Sequence, residues 1–182
     1  MAGITTLRNG KVVLANLNAE IIAMTNRSIR GMVMGAAIVR KDMEKTPPKT
    51  PIDYGNLKSS FFTVTARSVN VGKSPIFKGE GINAKMAADH TSTINEVQGI
   101  TKAKSKAGMQ ILMLGYSANY ALFVHEHLGM SDVPRWRYGP GPGKKRWYKP
   151  RPGAGPKWFE ESFKRNEANI LQAIKLNAKI KK

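Results

Sequence analysis

The feature that most constrains this chain is a proline-rich helix stop followed at once by turn residues and an alternating segment. Pro47, Pro48 and Pro51 lack the amide donor a helix needs, and each disfavours helical geometry in the residue before it. Asp53-Tyr54-Gly55-Asn56 is turn material, because Asp and Asn bond their own backbone and Gly takes positive φ without strain. From Ser59 to Arg67, residues Phe62, Val64 and Ala66 fall on one face and Phe61, Thr63, Thr65 and Arg67 on the other, the period of a strand. A helix ends here, the chain turns, and a sheet begins.

The flanking segments extend that plan. Ile22, Ile29, Met32, Val33, Ala36, Val39 and Met43 form an apolar stripe near helical spacing, with Asn16 or Asn18 as its cap. Gly31 and Gly35 cost about 1 kcal/mol each relative to Ala, so they imply close backbone approach. Packing of this helix on the sheet is favoured over a contact between subunits. Upstream, Asn9-Gly10 between two β-prone pieces predicts a hairpin within residues 1–15, with a flexible arm as the alternative. Met109 to Ser117 is apolar on both faces, which predicts a central strand pairing antiparallel with the Ser59–Arg67 strand. Residues 70–107, rich in Gly and Lys, read as a long loop insertion. After Pro156, the residues Phe159, Phe163, Ile170, Ile174 and Ala178 mark a last helix, acidic at its start and basic at its end. The fold class expected is α+β in a single domain, residues 1–182. A small antiparallel sheet is packed by a long N-terminal and a C-terminal helix, and long basic loops project from it.

Composition narrows the function. The chain has 30 Lys and Arg against 12 Asp and Glu, a net charge of +18. Solubility alone needs about 2–8 units of net charge. A polyanionic neighbour accounts for the excess, and nucleic acid is favoured over an acidic protein partner. With no cysteine there are no disulfides, thiolate metal sites or thiol nucleophiles. No long apolar run or hydrophobic leader stands out, so a soluble protein outside the membrane is expected.

Catalytic signals are weak. His125 and His127 flank Glu126, but the third histidine, His90, falls in the region read as loop, and no acidic cluster completes a site. A zinc site needs about three or four protein ligands. No nucleophile–histidine–carboxylate trio or phosphate-cradling glycine loop is present, so no enzyme, cofactor or metal is inferred. The most unusual stretch is 134–156, a Gly/Pro-rich loop carrying Arg135, Arg137, Lys144, Lys145, Arg146, Lys149 and Arg151, with Lys157 just beyond. Trp136, Tyr138, Trp147 and Tyr148 are interleaved with these cations. Gly-Pro alternation disfavours both helix and central strand, which leaves an extended arm. Its cations suit phosphates without base reading, or a groove on an acidic partner.

Three stretches carry a family resemblance. They are Thr50–Phe62, containing Thr50, Pro51, Asp53, Gly55, Asn56, Leu57, Ser59 and Ser60; Asn119–Gly129, containing Tyr120, Val124, His125 and Glu126; and Pro156–Ile174, containing Phe159. In this order they resemble the tail-completion or tail-to-head joining proteins of tailed-phage necks, over most of the chain from about residue 20 onward. Tyr54 departs from that pattern, where Thr is commoner, and so does the long basic loop. The resemblance implies a minor virion protein, assembled in the host cytoplasm into a homo-oligomeric ring of six- or twelve-fold symmetry. Its partners would be the head connector or adaptor, a tail terminator or tail tube protein, and duplex DNA held non-specifically in the channel. The competing reading is a sequence-independent nucleic-acid-binding protein of cellular type.

Overall fold

The structure, a computed structural model, describes residues 9–52, 55–70, 77–78, 83–126, 135–138, 145–148 and 151–179. Helix α1 (Gly10–Lys45) holds 36 residues, a rod of about 54 Å at 1.5 Å per residue. It begins directly after Asn9, whose φ of 74° is left-handed. The expected hairpin is therefore absent from residues 9–14, and its earlier half lies outside the described residues. Asn16 and Asn18 sit inside the helix and cap nothing. At the other end Thr46 turns extended while its N–H bonds the Asp42 carbonyl, and the prolines follow as the sequence predicts.

Gly55, at φ 87°, opens the single-turn helix α2 (Asn56–Ser59). The chain then enters β1 (Phe61–Thr65) and, through a turn closed by Thr65 and Ser68, β2 (Val69–Asn70). Helix α3 (Asn83–Lys106) leads to β3 (Leu112–Tyr116), and α4 (Ala121–Glu126) follows. Strands β4 (Arg135–Tyr138) and β5 (Lys145–Tyr148) precede helix α5 (Trp158–Ala178). The main sheet has the order β2-β1-β3 and is antiparallel, with Thr63 opposite both Asn70 and Leu114.

β1 is the centre of the fold. All five of its residues are buried because both faces are covered. Phe61 packs with Val39, Met43, Leu57, Ala118, Ala121 and Trp158, the layer beneath α1 and α5. Phe62 and Val64 pack with Ile94 and Val97 of α3 on the opposite face. The expected placement of α1 and α5 on one side of the sheet holds, and so does the antiparallel pairing of β1 with β3.

Four expectations need correction. Residues 70–107 are not one loop, since 24 of them form α3. β3 is an edge strand whose residues are half-buried, because β1 takes the centre. Gly31 and Gly35 serve a helix contact within the chain, not contact with the sheet or a subunit. A Cβ on Gly31 would fall 2.7 Å from Ile174 Cα, and one on Gly35 2.9 Å from Ile170 Cγ2, so α1 and α5 meet almost backbone to backbone. Finally, residues 134–156 contain a strand pair, β4–β5, where an irregular arm was expected. Gly and Pro confine strands to edges and ends, and a two-stranded ribbon has nothing but edges.

Candidate functional site

The three stretches that carry the family resemblance converge on one corner of the fold. Tyr116, at the end of β3, is its hub. Its hydroxyl lies 3.2 Å from Thr50 Oγ1, and its ring meets Phe61, Trp158 and Phe159 edge-on. Burial pushes the Tyr116 phenol above its ordinary 10.0, against the opposing pull of the Thr50 hydroxyl. Thr50, Pro51, Asn56, Leu57 and Ser60 are all buried here, and Ser59 is half-buried. Asp53 lies outside the described residues.

Several buried polar groups here have local partners, while Trp158 Nε1 and His125 Nε2 are buried without one. The Asn56 amide donates to Lys78 O and accepts from Lys78 N, both at 2.8 Å, so one side chain clamps a passing backbone as a strand neighbour would. Ser60 Oγ donates to Leu57 O at 2.8 Å, and Ser60 O accepts from Ser117 N at 3.0 Å. Tyr120 O accepts from Val124 N to start α4, and Val124 packs against the aromatic core. His125 stacks edge-on to Trp158 at 4.8 Å, and its carbonyl accepts from Lys157 N at 2.8 Å. Glu126 takes an ion pair from Lys157, and its Oε1 lies 2.7 Å from His125 Nδ1. The hydrogen bond from Lys157, then that from His125, holds the Glu126 carboxyl below its ordinary 4.5. This carboxylate is committed to tying α4 to the start of α5.

The crevice at this corner is small. The crevice beside Tyr116, lined by Arg40, Glu44, Thr50, Lys58 and Arg151, encloses ≈ 10 Å³, about one water. His90, which sequence reasoning placed in a loop, is a buried residue of α3 whose Nδ1 lies 2.6 Å from Ser117 Oγ. Its other ring nitrogen is buried without a partner, and burial lowers its pKa below 6.5. No carboxylate orients the ring, so this Ser–His pair lacks the third member that an activated hydroxyl needs. The spacing His90, Ile94, Val97, Thr101, the four buried residues of α3, was the available signal for that helix. Among the described residues no three His, Asp or Glu side chains come together in a way that could hold a metal ion, and His127 lies outside them.

The basic residues divide. Arg151 donates to the carbonyls of Glu44 and Thr50, and Lys157 is paired with Glu126 and, at 3.6 Å, with Glu160. These two are spent inside the chain. Arg135 and Arg137 lie on β4, and Lys145 and Arg146 on β5; Lys144 and Lys149 lie outside the described residues. The register sets Arg135 opposite Tyr148, Trp136 opposite Trp147, Arg137 opposite Arg146 and Tyr138 opposite Lys145. Opposed residues share a face of a ribbon. Arg135, Arg137 and Arg146 therefore occupy positions on one face, and Trp136 and Trp147 on the other.

No helix among the described residues is long and apolar enough to cross a membrane. Compared with protein-family models, with curated proteins and with solved structures, the chain matches none of them.

Proposed function

We propose that this chain is a structural virion protein of a tailed-phage neck, repeated in a ring that joins the head connector to the tail, and that its β4–β5 ribbon holds duplex DNA in the channel. Support for the neck comes from the three ordered stretches, whose residues are used to build one corner of the fold. That is what a structural family signature should consist of.

The observation that carries the DNA contact is the register pair Arg137–Arg146. Like charges directly opposite one another destabilise a strand pair. An anion between them reverses the sign, and a phosphate takes two guanidiniums in good geometry. Nothing in such a contact reads bases, which suits a collar through which any sequence must pass. The aromatic positions on the other face then serve to seat the ribbon on protein. A net charge of +18 supplies the long-range attraction.

Two measurements test the reading. Duplex binding followed by fluorescence anisotropy from about 50 to 200 mM salt should give a steep log–log slope. In the variant R135A/R137A/R146A that slope should fall by about 0.9 for each phosphate no longer neutralised; an unchanged slope removes the ribbon from the DNA interface. Omitting the chain during phage assembly should leave filled heads and finished tails unjoined. Complete, infectious particles without it would end the neck reading, and tight duplex binding by a lone monomer would favour a cellular nucleic-acid-binding protein.

A further inference from the structure

The N-terminal part of α1 is bare. Val12, Val13, Leu14, Leu17, Ile21, Ile22 and Met24 keep 44–60% of their surface exposed. Five of them are not scattered. Leu14, Leu17, Ile21 and Met24 follow one another at steps of three, four and three, with Val13 beside them, which puts all five on one arc of the helix. The same three–four rhythm continues through Ser28 to Gly31 and Gly35, where α5 seats Ile174 and Ile170 against it. One seam thus runs the length of α1. Its C-terminal half is filled by the chain's own α5, which ends at Ala178, while its N-terminal half faces nothing among the described residues.

We infer that the bare half of this seam is completed by the same segment of a second copy, the two arms packing as a short coiled coil. Charge and area select this occupant. Residues 10–26 carry one lysine and one glutamate in a chain of net charge +18, so this is a place where two copies can meet without cationic repulsion. An acidic partner or a nucleic acid would find no net charge here to pair with. The polar side of the arm is Asn16, Asn18, Thr25 and Asn26 with Lys11 as its single cation, whereas a helix that lies on a membrane is rich in Lys and Arg there. Each exposed aliphatic side chain offers on the order of 100 Å². Two arcs of five then bury roughly 1,000 Å², about the threshold for a specific interface. Two heptads are short for an isolated coiled coil. Copies already side by side would gain from high effective concentration. The contact involves none of the ribbon residues and stands or falls apart from DNA binding.

The absence of native cysteine makes the test direct. In the full-length protein, Leu17→Cys and Ile21→Cys are made singly and oxidised alone and as an equimolar mixture. Interchain disulfide is expected at full yield within minutes, in the single variants if the arms are parallel and in the mixture if they are antiparallel. Asn16→Cys, one residue off the arc, should link at least about tenfold more slowly. Sedimentation should show the wild type self-associating at micromolar concentration. L17Q/I21Q, which changes only exposed positions, should weaken that by about a hundredfold or more with helix content unchanged. No disulfide at either position, equal linking at Asn16, or association that survives L17Q/I21Q overturns the inference. So does a wild type that stays monomeric but dimerises once residues 2–8 are removed, because those residues would then be what covers the seam.

Discussion

The cations of the body and those of the ribbon are placed differently. In the body three guanidiniums have internal uses. Arg40 lies 5.0 Å over the Phe61 ring, Arg165 pairs with Asp42 at 2.6 Å, and Arg151 binds carbonyls of the helix stop. Burial alone would raise the Asp42 carboxyl, but hydrogen bonds from Arg165, Thr46 and Ser162 hold it below its ordinary 3.8. In the ribbon, Arg137 stands opposite Arg146 and the register supplies no acid between them. A net charge is therefore a poor locator of function. Position decides whether a cation joins parts of one chain, and in the proposed reading the ribbon positions meet an anion from outside it.

The contrast can be attacked at four points. The largest effect belongs to Trp158, 1% exposed beneath Tyr116 and His125. Trp158→Ala should cost about 3–5 kcal/mol in denaturant unfolding, and a loss under about 1 kcal/mol would mean the body is not centred there. Next is Gly31→Val, which drives a branched side chain into the Ile174 backbone. It should cost about 1–3 kcal/mol, or more if α1 and α5 part. Both variants should leave the salt slope of DNA binding intact wherever the protein is still folded.

Third is the response to acid. His90 is held neutral by burial, with its folded pKa below 6.5, so above that value its protonation does not differ between folded and unfolded chains. As pH falls through 6.5 the unfolded chain takes up a proton the folded one resists, and stability drops. The loss is bounded at about 1.4 kcal/mol per pH unit in that window. His90→Gln should flatten the profile between neutrality and mild acid; an unaltered profile would assign acid sensitivity elsewhere. The smallest effect on stability, within about 0.5 kcal/mol, is expected for R135A/R137A/R146A. Its signature is the DNA salt slope, and a large fall in melting temperature instead would show that the ribbon, too, is internal glue.

Much of this fold was legible in local chemistry. Pro47 and Pro48 end α1, Phe61–Thr65 alternates and becomes a strand, and the Phe159–Ile174 stripe becomes α5. Failures came where one signal was outvoted by context. Asn9 does take the left-handed conformation that makes Asn-Gly a turn, but a helix follows where a strand was expected. The glycines around residues 72–81 and Gly99 masked a helix that buries just four residues, His90 among them. Of the candidate site, the convergence on Tyr116 could not be read, because no local pattern says that Thr50, Phe61, Trp158 and Phe159 will share one neighbour. The basic stretch was found by composition, while the internal pairing of Arg151 and Lys157 and the placing of Arg137 opposite Arg146 needed the structure.

The near-touching backbones at Gly31 and Gly35 carry a mechanical consequence. A rod gripped over one half, by α5 backbone at Gly31 and by the Ile170 side chain at Gly35, behaves as a lever with its fulcrum at the glycines. A sideways load on the Leu14 end is delivered to the other end of the same rod, at Met43 and the Tyr116 corner. In the proposed pairing of two arms, tension between copies would thus be felt where the aromatic rings meet.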